Sequence, residues 1–342
     1  MLETKGHQVL VTSRKYAEAE RILALKRIRA RIIGKHGGRS LARKLTSGAE
    51  RIVGLSQLIS SWRPRVSVSF SSPEAARVAF GLGIPHVTVN DSPHSRFVAR
   101  LTIPISERVC SPWIVPKHVW IGLGAKRNGI VHYRALDPVA WLRRFKPDER
   151  TLRHLPRDGK PLVVFRTEEA FASYLLGVAS DARPVVLPII ERLIDSGTDA
   201  HFIAIPRYGR QAETLKRRLG DKVRVLTQPV DGATLLSKTS VFVGSGGTMT
   251  MEAALLGVPS FSCYPGEPPL YEDFLVRKRL VVREKRPGAI VNGVRRVLKF
   301  HDEYIDDQRS RARRLFDWME DPIPGVCRVL LEVGRGSSRS VE

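Results

Sequence analysis

Short runs of strand-forming residues alternate with stretches whose apolar residues recur at helical spacing. That alternation admits few folds other than parallel sheets covered by helices. Residues 8–12 read as a strand, and 17–30 carry Ile22, Leu23, Leu25 and Ile28 at helical spacing among charges. Ile32 and Ile33 precede a glycine-rich loop, followed by a helix over 45–62, a strand at 66–70, a helix at 73–82 and a strand at 86–89. Short strands are expected near 108–110 and 119–121. The alternation stops between Tyr133 and Gly159, where Pro138, Pro147 and Pro156 stand among charges. It restarts with strands at 162–165, 201–205, 223–226, 240–243, 260–263 and 280–282, and helices at 185–196, 211–219, 288–300 and 303–319. The expected division is a first Rossmann-like domain over 1–135, a linker over 136–158, a second over 159–333 and a disordered tail over 334–342.

Length agrees with two domains, because 342 residues with 42% hydrophobic content exceed one ordinary core. No apolar run reaches the ~18 residues of a membrane span, and the opening residues hold no run of signal-peptide length, so a cytoplasmic chain is expected. Cys110, Cys263 and Cys327 lie far apart without metal-ligand spacing, which argues against a disulfide framework or a zinc site. The formal charge is +23, and in residues 1–65 there are 15 Lys and Arg against Glu3, Glu18, Glu20 and Glu50, a net +11. Such a field suits an anionic acceptor, a membrane surface or nucleic acid, or it serves solubility alone. Only Tyr16 and Trp62 are aromatic there, which disfavours a reader of single-stranded nucleic acid. Eight Asn and Gln, and 42 Arg against 15 Lys, fit a hot habitat or a biased genome composition.

The strand ending at Val243 runs into Gly244, Ser245, Gly246, Gly247 and Thr248, and a helix follows until Gly257 and Pro259. Strand, glycine turn and helix start together make an anion site: the backbone can approach a phosphate, and the helix dipole adds about 1 kcal/mol. Tight packing of helix on strand selects glycine too. The helix is sharper. Met249, Met251, Ala253, Ala254, Leu255 and Leu256 make it apolar nearly all round, with Glu252 its only charge. A carboxylate there needs a partner, either a ligand or an arginine. Glu252 lies four residues after Thr248, about 6 Å along the axis, a spacing that suits phosphate at the helix start and ribose hydroxyls at the carboxylate.

Asp231, Leu235-Leu236, the run from Val241 to Thr248, Glu252-Ala253 and Gly257-Val258-Pro259 together resemble the nucleotide-binding half of GT-B glycosyltransferases and non-hydrolysing UDP-N-acetylglucosamine 2-epimerases. Residues 6–12, 34–38, 72–83 and 90–91 resemble more closely an uncharacterised, largely archaeal domain-of-unknown-function family of that superfamily, over most of 6–290. The resemblance implies an α/β fold of GT-B type: two Rossmann-like, doubly wound parallel-sheet domains facing a cleft, the first taking the acceptor and the second the nucleotide. The diphosphate would sit on Ser245 to Thr248, the ribose on Glu252 and the sugar in the cleft. Two departures stand out. Such proteins open with a strand and a Gly- or His-bearing turn, whereas this chain starts at what reads as the end of the first helix, so the first domain is expected to lack its first strand. Where the epimerase pattern has His-Arg-Arg-Glu-Asn, this chain has Arg166-Thr167-Glu168-Glu169, which weakens the epimerase assignment.

Other candidates stand at carboxyl ends of strands, where open α/β sheets bind ligands. Arg166 and Arg207 could neutralise a diphosphate, though chance placement is easy among so many arginines. Asp91 and His94 could form a general base and its partner, and an acidic residue at this loop belongs to the active site in related enzymes; an Asx turn at Asp91 and Ser92 is the plain alternative. Lys35, His36, Gly37 and Gly38 make a basic loop that could close on an anionic acceptor or be a simple turn. Ser72 before Pro73 reads as a helix N-cap. Glu267 and Glu272 flank Pro268-Pro269, from where relatives contact the donor sugar; a stiff surface loop is the alternative. No Asp-x-Asp metal motif appears, so the expectation is a metal-independent sugar transferase or sugar-nucleotide enzyme with a UDP-linked sugar as substrate and no separate cofactor. The competing expectation is a non-catalytic nucleotide-sugar or nucleic-acid binding protein on the same fold.

Overall fold

The computed structural model describes residues 1–16, 19–153, 155–156, 158–171 and 182–336. Two compact units divide the chain: Met1–Asp137 with the stretch from Glu320 onward, and Pro138–Met319.

The first unit runs β1 (Thr12–Lys15), α1 (Ala19–Leu25), β2 (Arg31–Lys35), α2 (Leu41–Trp62), β3 (Ser67–Phe70), α3 (Pro73–Gly81), β4 (His86–Val89), α4 (Arg96–Thr102), β5 (Arg108–Pro112), α5 (Lys117–Gly122) and β6 (Ile130–Tyr133). β3-β4-β5-β6 form one parallel sheet, and β1 and β2 form a separate parallel pair. Among the described residues no ladder joins β1 to β3. A groove of about 440 Å³ lies there instead, lined by Leu10 and Thr12 on one side, Val66 and Val68 on the other, and Leu55 and Ile59 of α2.

Three expectations shift in this unit. β1 lies at 12–15 rather than 8–12, because pairing with β2 sets its extent: the Arg31 N–H donates to Val11 O, and Thr12 then faces Arg31. Residues 119–121 are helical, not extended. Pro116 opens α5, and Trp120 is fully buried with its indole donating to Ser111 Oγ at 2.9 Å. A three-residue apolar run carries no period, so its packing decides. The sequence reading also lacked β6, which pairs along β5 from Val109↔Ile130 to Pro112↔Tyr133.

The second unit begins with α6 (Val139–Leu142) and α7 (Glu149–Arg153), which fall inside the expected linker. Then come β7 (Leu162–Arg166), α8 (Leu187–Asp195), β8 (His201–Ile205), α9 (Gly209–Leu219), β9 (Arg224–Val225), α10 (Gly232–Ser237), β10 (Val241–Gly244), α11 (Thr248–Leu255), β11 (Ser260–Ser262), α12 (Leu270–Arg277), β12 (Val282–Arg283), α13 (Pro287–Lys299) and α14 (His301–Trp318). One six-stranded parallel sheet has the order β12-β11-β10-β7-β8-β9. The chain leaves β7 toward β9, returns to β10 and proceeds to β12, so the topological switch point lies between β7 and β10. Both sheet faces are covered. Val163, Phe165, Val241 and Val243 pack with Ile189 and Ile190 of α8 and Ile290 and Val294 of α13; Val164 and Phe242 pack with Leu235, Leu236 and Ala253. Strands buried on two faces explain the unbroken apolar runs at 162–165 and 241–243.

α15 (Pro322–Gly336) belongs to the first unit, with Val329 and Leu330 buried. Gly334–Gly336, assigned to a disordered tail by composition, therefore end a helix, and 337–342 lie outside the described residues. All three cysteines are free, and burial pushes the thiols of Cys110 and Cys263 up to about 12. No described helix is long and apolar enough to cross a membrane.

Candidate functional site

The glycine turn stands at the switch point. Gly244 is the last residue of β10 opposite Arg166 of β7, and the Ser245 N–H donates to Arg166 O at 3.1 Å. Each glycine is needed for a different reason. A Cβ on Gly244 would lie 2.5 Å from Phe242 and 2.9 Å from Thr250 Oγ1. Gly246 has φ +80°, and its Cβ would lie 2.7 Å from the Tyr264 ring. Gly247, φ +87°, is the N-cap of α11, and its N–H donates to Tyr271 Oη at 3.2 Å. Thr248 opens the helix and is exposed, so the helix start faces outward while Met251, Ala253, Ala254 and Leu255 fix its other sides in the core. This is the geometry an anion needs: a rigid turn, an exposed hydroxyl and the positive end of a dipole.

Of the two candidate arginines, Arg207 reaches this turn. Its Nη2 stands 3.9 Å from the Cβ position of Gly247, and its Nη1 pairs with Glu169 Oε2 at 2.9 Å. Its backbone is locked as well, its N–H donating to Thr167 Oγ1 and Gln211 Oε1 at 3.0 and 2.9 Å. Arg166 is committed elsewhere, donating from Nη1 to the carbonyls of Ile205 and Pro206 at 3.3 and 3.1 Å, which ties the ends of β7 and β8 together.

Glu252 is half-buried, one helical turn beyond Thr248. Its Oε1 accepts the indole N–H of Trp141 at 2.7 Å, and its Oε2 lies 3.6 Å from the Cβ position of Gly232 at the start of α10. This contact joins residues 111 positions apart in the sequence, and nothing local in the sequence marks it. Glu168 is fully buried just beyond β7; burial raises its pKa, and Oε2 accepts from the Val185 N–H at 3.2 Å. The Phe171 and Tyr208 rings have centroids 3.9 Å apart and pack against the cluster of Ala170 and Tyr264, the latter being the ring beside Gly246. Glu267 is exposed. Glu272 is not. It is fully buried in α12, accepts from Ser262 Oγ at 2.8 Å, lies 3.4 Å from Arg283 Nε, and is raised in pKa by burial against the pull of both partners.

In the first unit the loop after β4 brings three acid–base groups together. Asn90, rather than Asp91, makes the Asx turn, its Oδ1 accepting the Ser92 N–H at 2.7 Å. Asp91 is thereby left outside the turn, its Oδ1 accepting Ser92 Oγ at 2.6 Å. Asp137, 7% exposed, accepts the buried Tyr133 hydroxyl on Oδ1 and faces Asp91. Burial and then the Asp91 charge hold the Asp137 carboxyl well above its ordinary value. His94 is lowered by burial, against the pull of Asp91. Tyr133 and Asp137 escaped sequence reasoning, since no local pattern marks either of them.

The basic loop is bound into the fold. His36 accepts the Gly38 N–H on Nδ1 at 3.0 Å and stacks on Tyr16, and desolvation with Arg14 and Lys44 lowers it to about 4. Gly37 packs on the start of α2, its Cβ position 2.4 Å from Lys44 N, while Lys35 is exposed. Ser72 caps α3 as expected, accepting the Ala75 N–H at 3.3 Å. Among the described residues no three His, Cys, Asp or Glu side chains are grouped to hold a metal ion.

A parallel sheet with a glycine turn at its switch point, accompanied by a second parallel-sheet unit, defines the α/β fold of GT-B type. Residues 1–324 match the family described as "Protein of unknown function (DUF354)", and the chain belongs to that family. An uncharacterized protein of Methanocaldococcus jannaschii, MJ0665, is 28% identical over 326 residues, covering 94% of this chain and 89% of the relative. Among solved structures, the UDP-GlcNAc 2-epimerase of Neisseria meningitidis bound to UDP-GlcNAc is similar with a TM-score of 0.70 at 16% identity, covering 97% of this chain and 93% of that one. The spinosyn forosaminyltransferase SpnP is similar with a TM-score of 0.59 at 17% identity, covering 96% and 93%. These likenesses establish the fold.

Proposed function

We propose that the chain binds a UDP-linked sugar in its second unit and transfers or converts the sugar without a metal ion. The diphosphate lies on the turn from Ser245 to Thr248 with Arg207 beside it, and the ribose hydroxyls bond to Glu252. One observation carries this reading: at the switch point of a continuous parallel sheet, an exposed helix start and a half-buried carboxylate stand one helical turn apart on α11. Helix dipole and guanidinium supply the positive charge that a departing diphosphate requires. The similar epimerase structure, bound to UDP-GlcNAc, supports the choice of nucleotide. The candidate general base of the first unit is Asp91, on the loop after β4 that also carries His94.

Calorimetric titration with UDP, dTDP, ADP, GDP and UDP-GlcNAc tests the donor. Saturable heat with UDP and UDP-GlcNAc is expected, and silence from every uridine and thymidine diphosphate would remove the assignment. The split sheet of the first unit favours one rival, a binding protein without turnover. Product release from UDP-GlcNAc, followed by chromatography, separates the two readings.

A further inference from the structure

α2 presents leucines to solvent and an arginine to the core. A surface helix ordinarily turns its apolar stripe inward and its charges to water. Here Ser47, Arg51 and Leu55 take the buried face, and the Arg51 guanidinium donates to Ile33 O. Leu41, Leu45 and Val53, at multiples of four along the opposite face, are exposed, Leu45 by 76%. α4 repeats the arrangement. Ala99 and Thr102 are buried, whereas Phe97, 71% exposed, and Leu101 stand out one helical turn apart. α3 packs against both helices, and the Cβ position of Gly48 in α2 lies 3.7 Å from Glu74 Oε1 in the first turn of α3. The two open faces therefore flank one helix.

The charges around them carry one sign. Lys35 before α2, Arg43 within it, and Arg96 and Arg100 of α4 are all exposed. Between residues 31 and 63 Glu50 is the only acid against seven Lys and Arg, and α4 holds no acid. A second copy seated here would bring like charges together. A nucleic acid would meet the arginines but give little to Leu41 and Leu45, because apolar contact with bases runs through stacking on aromatic rings. A bilayer with anionic lipid uses both features: apolar side chains enter the boundary between head groups and acyl chains, and the cations meet phosphate. We propose that the outer faces of α2 and α4 dock on an anionic membrane surface, seated by Leu41, Leu45, Phe97 and Leu101 and steered by the basic residues beside them. The contact is peripheral, and it does not depend on the nucleotide reading of the second unit.

Flotation of the full chain with vesicles tests it, comparing phosphatidylcholine alone with phosphatidylcholine holding about 30% phosphatidylglycerol. Binding to the anionic vesicles should exceed binding to the neutral ones by about tenfold or more, and should fall as salt rises from about 0.05 to 0.5 M. Leu41→Gln with Leu45→Gln, and separately Phe97→Gln with Leu101→Gln, should each weaken binding by about tenfold or more, the scale of withdrawing two apolar side chains from a bilayer interface. These positions are exposed and glutamine is a good helix former, so the melting temperature should hold. A variant that removes no apolar surface, Arg43→Gln with Arg96→Gln and Arg100→Gln, should lose most of the preference for anionic over neutral vesicles. Wild type that binds no vesicles, either apolar pair replaced without effect, or a preference that survives loss of the three arginines would each overturn the proposal. So would a dimer, seen by sedimentation velocity without lipid, that Leu41→Gln with Leu45→Gln converts to monomer, since a second copy would then cover the face. Salt-steep binding of single-stranded oligouridylate in place of vesicles would give the basic rim to nucleic acid and overturn it as well.

Discussion

The two units build parallel sheets from different kinds of strand. In the second, β7, β8 and β10 are buried almost end to end and one sheet runs through six strands. In the first, β3 alternates between half-buried and exposed, β2 is mostly exposed, and the sheet is broken between β1 and β3. Apolar side chains stand open there, among them Val68 at 46% and Phe70 at 60% exposure. Leu-Val-Val-Phe and Val-Phe-Val belong to strands covered on both faces, whereas Thr-Ser-Arg-Lys and Ser-Val-Ser-Phe do not. The glycine turn is mounted on the continuous sheet, where a site gains precision from rigid support.

Hydrogen exchange puts the largest number on this contrast. Amides of Val163 to Phe165 and Val241 to Val243 should open only with the second unit as a whole, while those of Ser13, Arg14, Ile32 and Ile33 open locally. A difference in protection of about a thousandfold or more is expected, equivalent to roughly 4 kcal/mol. Equal protection in the two sets would mean that the break between β1 and β3 is closed in solution.

A smaller effect tests the rigidity of the turn. Gly246→Ala forces a side chain into a left-handed conformation, φ +80°, with Cβ 2.7 Å from Tyr264. It should cost about 1–3 kcal/mol of stability and also weaken UDP binding. An unchanged melting temperature would show that Tyr264 yields and that the turn is less fixed than its packing suggests.

Smaller again is Glu252→Gln, which keeps the size of the side chain and an acceptor for Trp141. UDP affinity should drop by about tenfold with little change in melting temperature, because the amide accepts ribose hydroxyls more weakly than the carboxylate. A large melting shift with unchanged affinity would make Glu252 a structural partner of Trp141 and no more.

What was legible follows the same division. The runs that built the second sheet, the turn from Gly244 to Thr248 and the half-buried place of Glu252 are local patterns, and periodicity and glycine spacing report them. Contacts made by chain folding are not local. Trp141 meets Glu252 across 111 residues, and β1 takes its limits from β2. Short ambiguous pieces failed for a third reason. Residues 119–121 follow Trp120 into the core as helix, and the glycines at 334 and 336 end a helix that Val329 and Leu330 hold in place. Of the two acids, the place of Asp91 just after a strand marked it but nothing marked Asp137, which comes near only once β6 and the loop after β4 come together.

The last comparison concerns how each unit accommodates a buried acid. Glu272 in the second has Arg283 Nε at 3.4 Å, whereas Asp137 in the first has Tyr133 and a second acid, Asp91. With its folded pKa raised above the ordinary 3.8, Asp137 binds its proton more tightly in the folded chain than in the unfolded one. Its contribution to stability is therefore fully present below that ordinary value and is lost as pH rises through the raised one. Asp137→Asn carries an amide that never ionises, accepts the Tyr133 hydroxyl and can donate toward Asp91. The melting temperature of the variant relative to wild type should climb as pH goes from 5 to 9, by about 2–4 °C for each kcal/mol of ionisation cost removed. Glu272→Gln should show a flatter difference, since losing the attraction of Arg283 offsets the relief of a buried charge. Parallel profiles for wild type and Asp137→Asn would show that Asp137 is already ionised in the folded chain.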